Sequence, residues 1–183
     1  MDKSKIKEHI TGLLKAIGED PKRYGLSKTP MRVAQMFEKI LSNGKRPVSD
    51  IFKITHDLEH DEMVLVKDIP FYSLCEHHLM PFFGKCHVAY IPKKNRIVGV
   101  SKLVEIIDVL SRKLQLQERF TTEIADSIMK HLEPKGVGVV IEARHLCIEM
   151  RGLKVPAEIV TSAVRGLFRE DIKTREEFLK LIK

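Results

Sequence analysis

The sequence predicts an α+β protein with a mainly antiparallel sheet packed against helices. Short stretches rich in β-branched residues alternate with longer helical patterns, in no regular βαβ order. The chain has 183 residues, of which 43% are hydrophobic and 31% are charged, enough for one domain with a sizeable core. Internal repeats and low-complexity tracts are absent from the sequence. We therefore expect an N-terminal helical arm over 1–28 and a single folded domain over 29–183.

Two helices are predicted at the N-terminal end. Apolar residues recur at helical spacing over 6–17. A second helix has Pro30 near its first position and an apolar stripe over 33–41. Arg32 lies off that stripe, in the first turn. It is either a solvated arginine or a cation beside the unpaired N–H groups of a helix start, where phosphate can bind.

The strands follow from β-branched content between glycine and proline residues. We predict strands over 51–55, 63–69, 84–91 and 137–143. Residues 92–95 contain a proline and an asparagine and predict a turn.

Three further helices are predicted in the second half of the chain. Ser101 is a plausible N-cap for a helix with apolar residues over 103–110, which places Lys102 in its first turn. Another apolar stripe covers 120–132 and ends near a proline. The segment 174–177 has the pattern of a capping box that opens a short final helix.

Composition narrows the kinds of partner and compartment. The 32 basic and 25 acidic residues give a net charge of +7, which suggests an anionic partner such as nucleic acid, a membrane surface or a phosphorylated small molecule. Tryptophan is absent and aromatic residues are 6%, so base stacking on single strands is disfavoured. Three cysteines do not make a disulfide framework, and no apolar stretch approaches membrane-spanning length. We expect an unprocessed, cytoplasmic chain.

The densest ligand chemistry lies at residues 75–78. Cys75, His77 and His78 place one thiol and two imidazoles within one turn. On a helical turn, positions three apart share a face, so Cys75 and His78 can converge on one point while His77 is directed elsewhere.

A third ligand is available at Cys147. Residues two apart on a strand point the same way, so His145 and Cys147 would share the face of a strand that extends to residue 151. Cys147 could then join Cys75 and His78, giving two thiolates and one imidazole around zinc. Three protein ligands leave the fourth tetrahedral position for water, which is typical of catalytic zinc.

Each of these residues has an ordinary alternative interpretation. A lone cysteine is usually a small buried hydrophobe, and a lone histidine is usually a polar residue with its hydrogen bonds satisfied. Cys86 lies inside a predicted strand beside apolar neighbours, and we interpret it as an ordinary sheet position. The structural kind of zinc site usually needs four protein ligands, often as two closely spaced cysteine pairs, and no such pair occurs in the sequence.

Several segments resemble the GTP cyclohydrolase I family, in the same order and at closely matching separations. They are 73–85, 99–102, 115–119, 145–147 and 150–152. The match runs from about residue 29 to the segment 174–178 and so covers most of the chain. It implies the tunnelling fold, whose members assemble as rings, commonly a decamer of two stacked pentamers. It also implies zinc-dependent opening of the GTP imidazole ring at C8, which releases formate and forms 7,8-dihydroneopterin triphosphate for tetrahydrofolate and pterin biosynthesis.

The resemblance also assigns roles around the base of GTP. His77 and His145 match the proton-transfer histidines of the family, although either could instead orient a metal ligand. Glu118 matches the guanine anchor, because a carboxylate can accept N1–H and the exocyclic amine together. Gln117 stands beside it, at the start of the predicted helix. In isolation, a Gln-Glu pair at such a position is usually capping or solvation.

The triphosphate would contact four residues that match the phosphate-binding positions of the family. They are Ser101, Lys102, Arg151 and Arg32. The chain departs from the pattern at Glu105, where many members carry an arginine near the triphosphate. The segment 151–160 is also one residue shorter than usual and lacks a customary Ser-Lys pair.

Two alternative functions share parts of this pattern. A deazaguanine-nitrile reductase of the same fold would use a cysteine nucleophile and nicotinamide, and not the zinc trio. A zinc-stabilised module could bind anions without catalysis, and formate release separates it from an enzyme. We expect GTP and further copies of the chain as partners, and neither nucleic acid nor a membrane.

Overall fold

The computed structural model describes residues 1–42, 46–53, 55–57, 60–93, 96–151 and 154–183. The chain divides into two compact units, Met1–Asn43 and Gly44–Lys183. The division expected from the sequence, with an arm over 1–28, stays a prediction. Among the described residues, no helix is both long and apolar enough to cross a membrane.

The first unit contains the two predicted N-terminal helices. Helix α1 spans Lys3–Ala16, and its N-cap Asp2 accepts a hydrogen bond from the Lys5 backbone N–H at 3.0 Å. Helix α2 spans Thr29–Leu41 and begins with a proline at one of its first two positions. Proline fits there because the first N–H groups of a helix have no intrahelical partner. Both helix predictions are confirmed.

The second unit contains a mixed five-stranded sheet and a small two-stranded one. In chain order the strands are β1 (Thr55–Asp57), β2 (Val64–Cys75), β3 (Pro81–Ile91), β4 (Arg96–Val98), β5 (Leu114–Gln115), β6 (Gly136–His145) and β7 (Glu158–Gly166). The large sheet has the order β5-β2-β3-β6-β7, and β1 pairs with β4. The pairing of β2 with β5 is parallel, and the other pairings are antiparallel. Within the described residues, β7 pairs with β6 along one edge, and its other edge pairs with no strand.

Helices cover both faces of the sheet. They are α3 (Val100–Ser111), α4 (Gln117–Leu132), α5 (Leu146–Glu149), α6 (Leu167–Glu170) and α7 (Ile172–Ile182). Buried side chains of α3 and α4 form the main core with alternate residues of β3 and β6, such as Val88 and Val139. Phe168 and Phe178 form a second cluster with Ala89 and Val140. These two strand residues are the sequence neighbours of Val88 and Val139, so their side chains lie on the opposite face of the sheet. Alternation along each strand thus supplies two cores on opposite faces.

Three sequence predictions about helix ends and strands are wrong. The residues 51–53, predicted as strand, belong to a 3₁₀ turn over Val48–Lys53, and residue 54 is outside the described residues. Helix α3 has Gly99, not Ser101, as its N-cap. Helix α7 begins one turn before the predicted capping box, because the Asp171 carboxylate accepts hydrogen bonds from the Thr174 backbone N–H at 3.0 Å and its hydroxyl at 2.6 Å.

The predicted strand over 145–151 is also wrong. Strand β6 ends at His145, and α5 follows at once, with the Met150 N–H donating to the Leu146 carbonyl at 2.9 Å. His145 and Cys147 therefore do not share a strand face. The short strands β4 and β5 and the longer β7 were not predicted from the sequence. Of the predicted turn over 92–95, residues 94–95 are outside the described residues.

Candidate metal centre and substrate pocket

Cys75 and His78 are brought together by a tight turn at the end of β2. The Cys75 N–H donates to the Met80 carbonyl and the Leu79 N–H donates to the Cys75 carbonyl, both at 2.8 Å. Leu79 has a φ of 54°, in the left-handed region that closes such a turn. The Cys75 Sγ lies 3.8 Å from the His78 Nδ1. The turn therefore places a thiol and an imidazole side by side, as the spacing predicted.

Cys147 completes the cluster from α5. Its Sγ and the ligand atoms of Cys75 and His78 all lie within 4.8 Å of one another, and no other group of three such side chains was found in the described part of the chain. Tetrahedral zinc with bonds of about 2.3 Å to sulfur and 2.0–2.1 Å to nitrogen separates its ligand atoms by roughly 3.6–3.8 Å. The donor types and spacing fit zinc, after a small contraction. Residues 75, 78 and 147 could thus hold a metal.

The two cluster thiols are buried, whereas the His78 side chain is exposed. Burial, with Cys75 as the second cause, raises the pKa of Cys147 above its usual value. A metal would have to displace that proton, because thiolates are the form that binds. Cys86 lies in β3 with no exposed surface, outside the cluster, and its thiol pKa is raised by burial alone.

The turn that carries the cluster is tied to the start of α4 by an arginine. The Arg119 guanidinium forms an ion pair with Glu76, between the cluster residues 75 and 78. Arg119 also donates from Nε to the Gln115 side-chain oxygen and from Nη2 to the Leu114 carbonyl, each at 3.0 Å. Its hydrogen bond lowers the pKa of the Glu76 carboxyl. The sequence analysis missed this contact, which joins residues 43 positions apart.

The two candidate proton-transfer histidines have different surroundings. His77 is exposed, and its ring meets the His78 ring edge-on at a centroid distance of 6.0 Å. The His145 ring stacks on Phe82 at 4.7 Å, with 11° between the planes. Burial lowers the pKa of His145, and the nearby Glu118 carboxylate acts in the opposite direction. His145 is therefore biased towards the neutral ring at pH 7.

Gln117 and Glu118 are the first two residues of α4 and face different environments. Gln117 is 1% exposed, and its side-chain oxygen lies 2.7 Å from His145 Nε2. The Glu118 side chain is exposed, and among the described residues it has no hydrogen-bond or ion-pair partner. Glu118 is thus the residue of the pair with a carboxylate open to a ligand.

The candidate phosphate-binding residues are partly engaged with other side chains. Lys102 donates to Glu105 at 2.9 Å, and Arg46 forms an ion pair with the same carboxylate. The hydrogen bond from Lys102, which has the larger effect, and the one from Arg46 both lower the pKa of the Glu105 carboxyl. Arg151 donates from Nε to the Cys147 carbonyl at 3.1 Å, which places it next to a cluster residue. The structure thus places Arg151 next to the Cys75, His78 and Cys147 cluster.

Ser101 and Arg32 lie at helix starts. Ser101 is the second residue of α3 and is exposed. Arg32 is in the first turn of α2, in the unit Met1–Asn43, where it lines a cavity of about 210 Å³ with Tyr24 and Lys28. The side chains of Arg32 and Lys28 give this cavity positive charge, which suits an anionic ligand.

An α+β domain that joins a three-ligand cluster to an open carboxylate and several cations has the features of a metal-dependent enzyme for an anionic substrate. Comparison with known proteins identifies the family. The model of the GTP cyclohydrolase I family matches residues 6–183. The chain therefore belongs to the GTP cyclohydrolase I family.

Curated relatives match over nearly their whole length. "GTP cyclohydrolase 1" of Thermoanaerobacter pseudethanolicus is 57% identical over 183 residues, covering 100% of this chain and 97% of the relative. The protein of the same name from Aquifex aeolicus is 57% identical over 185 residues, covering 100% and 98%. Among solved structures, an archaeosine synthase QueF-Like in the apo form is 17% identical, with a TM-score of 0.44 over 55% of this chain and 92% of that one. That structural likeness is too low to support an argument.

Proposed function

We propose that the chain is a zinc-dependent GTP cyclohydrolase I. It would open the imidazole ring of GTP at C8, release formate and form 7,8-dihydroneopterin triphosphate for tetrahydrofolate and pterin biosynthesis. Family membership supports the activity. The observation that carries the zinc assignment is the Cys75, His78 and Cys147 cluster, whose ligand atoms lie within 4.8 Å of one another.

The cluster suits a catalytic metal because it has three protein ligands. Zinc, when bound, would supply Lewis acidity that makes water nucleophilic near neutral pH, since it lowers the pKa of a bound water to about 7. The protein residues would hold the ion, and burial of Cys75 and Cys147 would limit water around it.

His77 and His145 are proposed to move protons during ring opening. The leaving nitrogens of the purine must gain protons as the ring opens, which is work for groups that titrate near pH 7. The lowered pKa of His145 favours the neutral ring, which can accept a proton. His77 is exposed beside His78 and can exchange protons with solvent.

Glu118 is proposed as the anchor of the guanine base, with Gln117 beside it. The Glu118 carboxylate has no partner among the described residues, so no internal hydrogen bond must break before a base binds. Two oxygens in one plane can accept N1–H and the exocyclic amine together.

The triphosphate is proposed to contact Ser101, Lys102, Arg151 and Arg32. The position of Arg151 beside the Cys147 carbonyl supports a phosphate site close to the metal. Glu105 opposes an anion at Lys102, but the Arg46 guanidinium on the same carboxylate offsets that charge. Lys102, Arg46 and Glu105 together keep one net positive charge.

We further propose that the chain adopts the tunnelling fold and assembles as a ring, a decamer of two pentamers. GTP and further copies of the chain would be its partners, in the cytoplasm, without nucleic acid or a membrane. The segment 1–28 would be an arm outside the catalytic domain 29–183.

The test is to incubate the zinc-loaded protein with GTP and to measure formate and the pterin-like absorbance of the product. We expect both to appear in equal amounts, and neither with a zinc-free Cys147→Ser variant. Zinc and GTP binding without formate release would instead support an anion-binding module and would reject the enzyme proposal.

A further inference from the structure

The side-chain amide of Gln117 is held at both ends by the protein. Its Nε2 donates to the backbone carbonyls of Ile141 and Ile159 at 3.1 and 2.8 Å and lies 3.1 Å from the Thr161 hydroxyl oxygen. Its Oε1 lies 2.7 Å from His145 Nε2. The amide thus bridges the start of α4 to β6, to β7 and to the histidine at the end of β6.

The two carbonyl groups determine which end of the amide is nitrogen. A backbone carbonyl can only accept a hydrogen bond, so the end of Gln117 that faces Ile141 and Ile159 must be the NH₂ group. The end that faces His145 is then the oxygen, which can only accept. The network therefore assigns a proton to His145 Nε2.

We infer that Gln117 is a positioning residue that holds His145 as the Nε2–H tautomer and leaves Nδ1 as the ring nitrogen with an open lone pair. Within the described residues, the bond to Gln117 is the one hydrogen bond of the His145 ring. Stacking on Phe82 fixes the plane of the ring, and the amide fixes its rotation in that plane. This inference deepens the proposed function, because it rests on His145 as a proton-transfer residue and names the atom through which it acts.

The assignment changes what the Gln117 side chain can do for a substrate. Its amide has a protein partner at each end, and it is 1% exposed. A ligand that took either end would leave a buried carbonyl or the imidazole without a partner, which is costly. The side chain of Gln117 therefore acts on GTP through His145.

The surrounding hydroxyl groups support the amide from α4 and β7. The Thr121 hydroxyl donates to the Gln117 backbone carbonyl at 2.7 Å and lies 2.6 Å from the Thr161 hydroxyl. Thr161 can then donate to Thr121, while the two N–H bonds of Gln117 are directed to the two backbone carbonyls. Loss of the Thr161 hydroxyl alone would leave both carbonyl acceptors in place.

The tautomer can be measured directly by ¹⁵N solid-state NMR of the intact zinc-loaded protein, labelled on histidine ring nitrogens. His145→Asn identifies the resonances of this ring among the eight histidines. For the neutral ring we expect a protonated Nε2 and an unprotonated Nδ1 in the wild type and in Thr161→Val. Gln117→Met, which keeps the shape but removes both contacts, should give a mixture of tautomers.

Kinetics give an independent readout. Loss of an orienting partner typically costs about 10- to 100-fold, so kcat for formate release should fall by that factor in Gln117→Met, while KM for GTP and zinc content change less than about threefold. Thr161→Val should remain near wild type. An unprotonated Nε2 in the wild type would overturn the assignment. A rise in KM at constant kcat would show a substrate contact instead and would also overturn it. If the wild type released no formate, the proposed function would fail while the NMR result still decided the tautomer.

Discussion

The three cysteines are all buried and free, yet their surroundings separate them into two kinds. Cys75 and Cys147 lie at the end of β2 and in α5, where their sulfur atoms meet a histidine. All three thiols belong to the main core, but Cys86, inside β3 with no exposed surface, lies outside that group of ligand atoms. The neighbours of each thiol, more than its burial, therefore indicate its role.

At the residue scale, we predict that Cys147→Ser loses zinc and Cys86→Ala retains it. Loss of a direct ligand should lower zinc affinity by more than the roughly 10- to 100-fold that an orienting partner contributes. Cys86→Ala should instead cost roughly 1 kcal/mol of unfolding free energy, because it leaves a small cavity. Zinc content by atomic absorption and thermal denaturation would check both. Equal zinc loss in the two variants would contradict the ligand assignment.

The spacing of residues along the chain predicted the contact of Cys75 with His78, but it did not predict the hydrogen bonds of the neighbouring Gln117 side chain. Cys75 and His78 are three apart, so one turn was enough to bring them together. The role of the Gln117 amide was out of reach, because its acceptors lie 24 and 42 residues away on β6 and β7. Such contacts depend on strand register, and β7 was not predicted at all.

Among the elements, the link between β2 and α4 is the one that supports the cluster turn. Arg119 on α4 contacts Glu76 in the turn and also the Leu114 carbonyl of β5. The turn is therefore fixed against two further elements, which holds Cys75 and His78 in place before a metal arrives.

We predict that Arg119→Gln lowers zinc affinity by about tenfold, because the turn loses its orienting partner. Arg165→Gln is the matched control. Arg165 of β7 forms a similar ion pair, at 2.8 Å, with Asp126 of α4, and this pair does not involve the cluster turn. Competition with a chromogenic chelator would measure both affinities. The same affinity in the two variants would show that the ion pair does not support the turn.

Most long elements with a clear period were predicted, whereas the nine-residue β7 and the shortest strands were not. The stripes of α3 and α4 and the strands β2, β3 and β6 contain enough residues for the helical or alternating period to show. Strands of two or three residues, such as β5 and β4, exist because a partner strand binds them. The alternation over 145–151 was too short to distinguish strand from helix, and the chain turns into α5 there.

On the scale of the whole molecule, candidate substrate residues are divided between the two units. Arg32 belongs to Met1–Asn43, whereas His77 belongs to Gly44–Lys183. We propose, as the resemblance to the family implies, that the helix of Arg32 lies at a subunit junction. We therefore expect Arg32 to serve the pocket of a neighbouring copy.

We predict that Arg32→Ala and His77→Ala are each nearly inactive, and that they restore activity together. Co-expressed in equal amounts, about a quarter of the pockets in a symmetric ring would receive both intact residues by random placement. Formate release from purified mixed oligomers should approach that fraction of wild type. Mixing the preformed oligomers provides the control and should give little activity before subunits exchange. No recovery in verified mixed oligomers would place Arg32 in the pocket of its own chain, or in none.

Within the described residues, the outer edge of β7 is open to pairing with an extended segment of another chain. In its nine residues, about half of the N–H and C=O groups point away from β6, and no strand of the described residues receives them. Such an edge is a template for any extended segment nearby, including that of an unfolded neighbour. Glu158 and Arg165 place charges near its two ends, and Thr161 and Ser162 keep its middle polar, which slows that encounter without preventing it. If copies of the chain assemble as proposed, this edge can pair either with a native neighbour or with an extended segment of an unfolded chain, and a high concentration of unfolded chains favours the second outcome.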